Sequence, residues 1–156
     1  MTSGNGRPLF AFGTLMDPDV LGIVLGAGAA AWRTMPARVH DRARRWVVDD
    51  HYPVLVESPG VHVDGLLIHG LAETALERIR FFEGEEFALA PIVVRDTDDD
   101  EINARYFADT GRKDIADIAW SLADWQTSTK SDTLPRVHRY MACYGTMSIA
   151  EADAYW

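Results

Sequence analysis

Hydrophobic residues recur along the chain in short runs, some with strand-like and some with helix-like spacing. Leu9 to Phe12 is an apolar run long enough for a short buried strand, and Gly13 ends it. Asp17 is a suitable N-cap and Pro18 suits the first helical position, so a helix is predicted over 18–25. A strand that breaks at a glycine just before a helix directs several backbone N–H groups into one small space. Such a loop can receive a carboxylate or a developing oxyanion, and an ordinary strand–turn–helix connection without a ligand is the alternative that this stretch alone leaves open.

Strand-like patterns dominate the middle of the chain. From Pro36 to His69, β-forming residues are separated by two turn signals, at 49–51 and at 58–60. Gly65, within the last strand of this region, is predicted to form a bulge.

A second helix is predicted over 73–82, because apolar residues recur there at three-residue spacing and Gly84 lies just past its end. Strands over 87–95 and 102–107 follow, and Pro91 predicts an edge position or a bulge in the first of them.

The last third of the chain has helical patterns. Apolar residues between 114 and 126 fall on one face of an amphipathic helix, and Ser148 to Glu151 matches a capping box. The strands of the middle region are joined by tight turns and not by crossover helices. The pattern therefore predicts an α+β fold, with a small mixed or antiparallel β-barrel and flanking helices.

Composition narrows the class of protein. A chain of 156 residues with 47% hydrophobic and 25% charged residues is typical of a single globular domain, 1–156. The net charge of −9 argues against nucleic acid as a partner. Cys143 is the only cysteine, which excludes a disulfide within the chain and fits a reducing compartment. The longest nearly apolar run, 20–32, is too short to span a bilayer, so a cytoplasmic protein without a membrane partner is expected.

The motif Phe82-Glu83-Gly84-Glu85-Glu86-Phe87 lies where a predicted helix ends and a strand begins. Glu83 follows an apolar residue and precedes a glycine, so its carboxylate is a candidate for burial. Burial would raise its pKa toward neutrality and make it a usable general base. Glu85 and Glu86 would act in the same direction through repulsion between like charges. An exposed acidic helix end is the alternative that this motif alone leaves open.

The segment Gly26 to Ala31 matches the G-x-G-x-x-A pattern of a dinucleotide site, with Asp49 or Asp50 where a ribose-binding acid would lie. Its context is wrong for that fold. Pro36 interrupts the helix that should follow, and no further βαβ units are predicted.

Asp96, Asp98 and Asp100 have the alternate spacing of a calcium loop. Glu101 stands where glycine is needed and Phe107 where glutamate is needed, so an exposed hairpin tip is predicted instead. The histidines show no i,i+4 pair, so no metal site is predicted. No serine-nucleophile signature is present, so nucleophilic catalysis by the protein is not supported. An enzyme of this sequence would rely on general-base chemistry.

Considered together, four segments resemble the γ-glutamylcyclotransferase-like superfamily, which includes the plant AIG2-like proteins. They are Phe10 to Met16, the pair Tyr52-Pro53, the strand with Gly65, and Phe82 to Phe87. The resemblance covers residues 8–108 and implies a small barrel with flanking helices and a cavity at one end. Residues 109–156 match no motif of the family and are interpreted as a C-terminal helical extension.

The resemblance also implies a site and a reaction. In the family, the loop after the first strand binds the α-amino-acid end of the substrate through backbone groups, which carries over to Phe12, Gly13, Thr14 and Leu15. The glutamate of the E-G motif is the base, which carries over to Glu83. The implied reaction converts a γ-glutamyl amine or peptide to 5-oxoproline and releases the amine. It requires no metal or cofactor, and the expected partner is a small γ-glutamyl or amino-acid-like substrate.

Two residues depart from the family pattern, since Phe12 and Phe87 stand where the family usually has tyrosine. Each change removes a phenolic hydroxyl and keeps the aromatic ring. Tyr52 and Tyr106 are the candidates for supplying a hydroxyl to the substrate instead. The lost hydroxyls leave a non-catalytic ligand- or partner-binding domain open as an alternative function. The aromatic tail beyond 109 would either cover the mouth of the cavity or pack on a second chain in a homodimer.

Overall fold

The computed structural model describes residues 7–26, 32–48, 52–111 and 114–156 of the chain. The strands are β1 Leu9–Ala11, β2 Arg33–Val47, β3 Pro53–His69, β4 Phe87–Arg95, β5 Glu101–Asp109 and β6 Ile115–Ala119. The helices are α1 Pro18–Leu25, α2 Glu73–Glu83, α3 Leu122–Ser128, α4 Lys130–Met141 and α5 Ile149–Ala152. Short 3-10 turns, Thr14–Met16 and Asp153–Tyr155, precede α1 and follow α5.

Five strands close into a barrel in the order β3-β1-β5-β4-β2, because β2 also pairs with β3. The sheet is mixed, since β1 is antiparallel to β3 and parallel to β5. β6 extends the sheet on the other side of β2. The prediction of a small mixed barrel with flanking helices is confirmed.

Successive side chains of a strand point to opposite faces, and this separates two hydrophobic clusters. Phe10 belongs to the cluster that contains Val39, Val63 and Leu67 of the long strands. Leu9, next to it in β1, belongs to the larger cluster formed with the helices. β1 therefore links both parts of the core, and the loop that follows it lies where they meet.

The predicted turn at 58–60 is wrong, because β3 continues through it. Both halves of β3 pair with β2, and the register shifts between His40 and Arg42. Gly60 has a φ of 83° at this irregularity, and its N–H donates to Asp41 Oδ1 over 2.9 Å. Local turn residues cannot reveal that the segments on both sides share one long partner strand. The other predicted turn, at 49–51, lies outside the described residues.

Gly65 does not form the predicted bulge, since it pairs in regular register with Ala37. A Cβ atom at this position would overlap the carbonyl oxygen of Ala11 and lie 2.8 Å from Cζ of Phe10. The glycine thus permits β3 and β1 to approach each other closely.

The helix predicted over 114–126 is wrong in its first half. Ile115–Ala119 is β6, which pairs with β2 and leaves the side chain of Ile118 59% exposed. α3 begins only at Leu122, where the hydroxyl of Ser121 accepts from the N–H of Asp124. Helical spacing of apolar residues was misleading here because the open edge of β2 offers backbone hydrogen bonds to a neighbouring strand.

The predicted helix over 18–25 and strand over 87–95 are confirmed, and the helix predicted over 73–82 ends one residue later. Pro91 pairs with β5 on one side of β4. The pairing of β4 with β2 on the other side is at Arg95 and does not include Pro91. Among the helices that the structure describes, none has the length and apolar character needed to cross a membrane.

The helices of the tail pack against α1 and α2. Tyr140 Oη on α4 donates to the carbonyl oxygen of Phe81 on α2 over 2.6 Å. Arg78 on α2 donates from Nε to the carbonyl oxygen of Val24 on α1 over 2.7 Å. Trp125 of α3 is completely buried in the same cluster. The tail is therefore part of the hydrophobic core.

The close contact at Gly65 predicts a stability difference between two glycine substitutions. Gly65→Ala should destabilise the fold by about 2 kcal/mol or more, because the new methyl group overlaps the backbone of β1. Gly22→Ala is the matched control, since a Cβ there meets nothing within 4 Å. It should stabilise α1 by about 0.5–1 kcal/mol. Urea unfolding of both variants at pH 7 measures the difference, and equal stabilities would contradict the tight β1–β3 contact.

Candidate active site

One cavity of about 280 Å³ lies between β1, the end of α2 and the helical tail. The first strand and its loop contribute a continuous segment of the wall, residues 9–15. The junction of α2 and β4 contributes Phe82, Glu83, Gly84, Glu86 and Phe87. The remaining lining residues are Val20, Tyr52, Pro53, Phe107, Trp125, Thr133, Val137, Tyr140, Asp153 and Trp156.

The loop after β1 provides unpaired backbone donors to this cavity. The 3-10 turn is closed by hydrogen bonds from Met16 N–H to Gly13 O and from Asp17 N–H to Thr14 O, both 3.0 Å. Within the described part of the chain, the N–H groups of Gly13, Thr14 and Leu15 donate to no backbone carbonyl. Such groups at the start of a helical turn suit a carboxylate or an oxyanion.

Two contacts set the position of the loop. Arg44 donates from Nη1 to the carbonyl oxygen of Phe12 over 3.2 Å. A Cβ at Gly13 would lie 3.0 Å from Cδ of Pro53, so the loop lies close against the start of β3. The proximity of Gly13 and Pro53 gives a physical reason for the pair Tyr52-Pro53 in the sequence motif.

Glu83 is the last residue of α2, and Gly84 with a φ of 89° ends the helix there. Burial raises the pKa of Glu83 to about 8 from its usual value near 4.5. Among the described residues, the carboxyl group of Glu83 has no hydrogen-bond or ion-pair partner. Its oxygens therefore remain available to a ligand in the cavity, and it can exchange a proton near neutral pH.

Most of the residues expected from the sequence meet in this cavity. Phe12, Gly13, Thr14, Leu15, Tyr52 and Glu83 line it together. Tyr106 does not belong to the lining. Its hydroxyl accepts a hydrogen bond from Arg42 Nη1 over 3.3 Å, and its ring packs at 6.2 Å from that of Phe12 beside the inner cluster.

Tyr52 lies beside Phe87. Its ring meets that of Phe87 edge to face, with centroids 5.6 Å apart, and both residues line the cavity. The region around Phe87 therefore contains a phenolic side chain, contributed by the residue that precedes β3.

Asp17 connects the loop to the tail through a completely buried carboxylate. Oδ1 accepts from the N–H groups of Asp19 (2.9 Å) and Val20 (3.2 Å) and caps α1. Oδ2 accepts from Gln126 Nε2 (2.9 Å) and lies 2.9 Å from Lys130 Nζ. Burial alone would raise the pKa of Asp17, but these hydrogen bonds and the charge of Lys130 outweigh it and lower the pKa.

The tail supplies lining residues that sequence analysis missed. Trp125, Thr133, Tyr140, Asp153 and Trp156 all come from beyond residue 109. They are spread over three separate elements and form no local motif. The signal in the sequence was the high content of aromatic residues beyond residue 109. It was compatible with contacts at the mouth of the cavity and also with contacts to a second chain in a dimer.

Within the described residues, the other motifs do not contribute to the cavity lining. Asp96 caps its own turn, accepting from the N–H groups of Asp98 (2.9 Å) and Asp100 (3.0 Å), as an exposed hairpin tip does. The dinucleotide interpretation required a strand over 20–25, where the structure has α1. The glycine motif after Gly26 and the acids 49–50 lie outside the described residues.

Comparison with known families gives a match over a range that contains both the loop after β1 and Glu83. The family model described as gamma-glutamyl cyclotransferase, AIG2-like, matches residues 9–127 of the chain. This range begins at β1 and ends within α3, so it includes the loop and Glu83. A search of curated proteins finds no match to the chain.

Solved structures with a similar fold include two Arabidopsis thaliana proteins determined in solution. The first is 20% identical with a TM-score of 0.62, covering 88% of this chain and 82% of that chain. The second is 20% identical with a TM-score of 0.61, covering 90% and 93%. A structure described as gamma-glutamyl cyclotransferase is 13% identical with a TM-score of 0.57, covering 96% and 85%. At these identities the likeness concerns the fold alone.

The raised pKa of Glu83 makes the stability of the protein depend on pH. The folded state holds a proton on Glu83 up to about pH 8, whereas the unfolded chain loses it near 4.5. Stability should therefore fall as pH rises between these values. Glu83→Gln removes the charge, so its stability gain over wild type should grow from near zero at pH 4.5 to a few kcal/mol, about 1.4 per pKa unit, at pH 8. Urea unfolding of both proteins across this pH range measures the difference in stability. Glu85→Gln, at an exposed neighbour, is the control. A difference between Glu83→Gln and wild type that does not change with pH would contradict the raised pKa of Glu83.

The buried carboxylate of Asp17 predicts a second dependence of stability on pH. Asp17→Ala should cost about 2–4 kcal/mol at pH 7, because α1 loses its cap, Gln126 loses its acceptor and Lys130 loses one of its two carboxylate partners. The folded-state pKa of Asp17 is lowered, so its contribution is present above pH 3.8 and is lost as pH falls through the folded-state value. The cost should therefore shrink in acid. Asp19→Ala, at an exposed neighbour, is the control and should cost much less at every pH in urea unfolding.

Proposed function

Because the chain belongs to the gamma-glutamyl cyclotransferase, AIG2-like, family, we propose that it cyclises a γ-glutamyl amine or peptide to 5-oxoproline and releases the amine. One observation carries this proposal. The carboxyl of Glu83, whose pKa is raised by desolvation, and the loop with free backbone N–H groups come from distant parts of the sequence and line one cavity.

The loop would bind the substrate by its α-carboxylate. The N–H groups of Gly13, Thr14 and Leu15 offer directed donors. An intramolecular nucleophile needs to be held in one conformation, and positioning of this kind can supply much of the rate enhancement.

Glu83 would act as the general base and then as the general acid. Its pKa of about 8 is raised toward that of an amine, so the carboxylate can accept a proton from the α-ammonium of the substrate and return it near neutral pH. The carboxylate takes a proton from the α-ammonium of the substrate. The resulting neutral amine is the nucleophile.

The amine nitrogen then attacks the γ-carbonyl carbon and forms the C–N bond of a five-membered ring. The carbonyl oxygen gains negative charge, which an N–H group of the loop would stabilise. Glu83 returns its proton to the leaving nitrogen as the original C–N bond breaks. The second proton of the ring nitrogen follows to the amine, which leaves as an ammonium ion. Atoms and charges balance without a covalent enzyme intermediate.

Tyr52 would contact the substrate in this scheme. It lines the cavity with its ring against that of Phe87, the residue at which the family resemblance leads us to expect a tyrosine. The ring of Phe12 closes the cavity with an apolar surface and donates no hydrogen bond.

Release of 5-oxoproline from a panel of γ-glutamyl amines and peptides tests the proposal. Glu83→Gln should lower kcat by about a hundredfold or more, because the general base is removed. Glu85→Gln is the matched control, since this neighbour is exposed and does not belong to the cavity lining, and it should retain full activity. Equal rates for wild type and Glu83→Gln would remove Glu83 from the mechanism.

The pH profile gives an independent readout. For wild type, kcat/KM should rise with pH and level off above about 8, where Glu83 becomes ionised in the free enzyme. Thermal stabilisation by the γ-glutamyl compounds without any turnover would contradict the enzymatic proposal and favour a binding domain.

A further inference from the structure

Arg44 on β2 is a partly buried arginine that contacts the loop after β1. Its Nη1 donates to the carbonyl oxygen of Phe12 over 3.2 Å. Phe12 and Gly13 line the cavity, whereas Arg44 does not belong to the lining. The guanidinium therefore lies behind the wall of the site, and it can act on a ligand only through the backbone of the loop.

The peptide group between Phe12 and Gly13 transmits this contact. The group is planar and trans, so the carbonyl of Phe12 and the N–H of Gly13 point in opposite directions. Among the described residues, the N–H of Gly13 donates to no backbone carbonyl. A cation that holds the carbonyl fixes the direction of the N–H on the other side. It also polarises the peptide group, which makes the N–H a stronger donor.

Trp120 restricts the orientation of the guanidinium. Cζ of Arg44 lies over the ring of Trp120, 5.6 Å from its centroid, and Trp120 is only 2% exposed. Trp120 lies between β6 and α3, so the tail of the chain supplies this support. Contact with an aromatic face stabilises an arginine without neutralising its charge.

The positive charge of Arg44 has no direct ion pair within the described part of the chain. The charge of Asp64 reaches it, but Asp64 pairs with Arg38 over 2.7 Å. Burial lowers the pKa of Arg44, yet an arginine remains protonated at neutral pH. No lysine, arginine or histidine of the described residues lines the cavity itself. Arg44 therefore supplies, from behind the loop, a positive charge that the lining lacks.

We propose that Arg44 is a positioning residue that makes the loop selective for a carboxylate. It holds the peptide group between Phe12 and Gly13 so that the N–H of Gly13 faces the α-carboxylate of the substrate. Its charge acts through this peptide group and favours an anionic group over a neutral one. The inference rests on the proposed function and specifies how the same site recognises the part of the substrate that is cyclised.

Two substrates that differ in one group test this role. They are γ-glutamylbutylamide, with its α-carboxylate, and the same compound with the α-carboxylate converted to a neutral carboxamide. Cyclisation releases butylamine from both, so one assay measures both reactions. Wild type should have the lower KM for the carboxylate.

Arg44→Met retains an apolar side chain against Trp120 and removes the charge and the donor. Its KM for the carboxylate should rise about tenfold, the factor that a free-energy difference of about 1.4 kcal/mol gives. Its kcat should stay within about twofold of wild type, because the carboxylate is bound equally before and during the reaction. Its KM for the carboxamide should rise much less. A role in folding alone would change both KM values by the same factor.

Arg44→Lys restores a positive charge and a donor, so it should recover much of the preference for the carboxylate. Arg33→Met is the matched control, because it removes the same charge from an exposed position on β2 outside the cavity lining. Both KM values of this variant should equal those of wild type. Thermal unfolding identifies the variants that are folded. Arg44→Gln, which is neutral but polar, replaces Arg44→Met if the latter does not fold, and the same result is expected.

The outcomes separate the two proposals. An equal rise in KM for both compounds, or an unchanged KM in the neutral Arg44 variant, overturns the role of Arg44 and leaves the proposed function intact. Absence of butylamine release from both compounds with wild type overturns the proposed function. Ligand-induced thermal stabilisation by the two compounds then tests Arg44 separately. The carboxylate should stabilise wild type more than the carboxamide does, and the neutral variant should lose this difference. Equal stabilisation of wild type by both compounds, or a difference that the neutral variant retains, overturns the role of Arg44 as well.

Discussion

The buried carboxylate of Asp17 is the interaction on which the site depends. A charged group with no exposure to solvent is stable only if hydrogen bonds and opposite charge replace the water it has lost. Asp17 obtains them from two directions, the first turn of α1 and the residues Gln126 and Lys130 of the tail. The same carboxylate therefore ends the loop, begins α1 and attaches α3 and α4. The loop cannot shift without disturbing all of these bonds.

Glu83 receives no such compensation from the described residues, and its chemistry follows from that contrast. Partners lower the pKa of Asp17, whereas desolvation raises that of Glu83. One remains a charged structural anchor, and the other can hold or release a proton near neutral pH. A pair of carboxyl groups with opposed environments is a common basis for assigning structural and acid–base roles.

Different elements of the fold supply different parts of the cavity lining. The barrel and α2 contribute the loop N–H groups and Glu83, which suit the γ-glutamyl group that family membership indicates. The tail contributes an acidic and aromatic wall, held by Arg139 and by the hydrogen bond from Tyr140 to α2.

Several local elements and the residues of the family motif could be predicted from the sequence. Asp17-Pro18 predicted the start of α1, Gly84 predicted the end of α2, and the order of motifs indicated the family. Caps, glycine breaks and strand alternation act between near neighbours, so their physical cause is contained in a short stretch of sequence. Tertiary structure decided the rest. It made Ile115–Ala119 a strand, continued β3 through Gly60, moved Tyr106 away from the cavity and brought Asp153 into it, because strand pairing and helix packing depend on residues far apart in the chain.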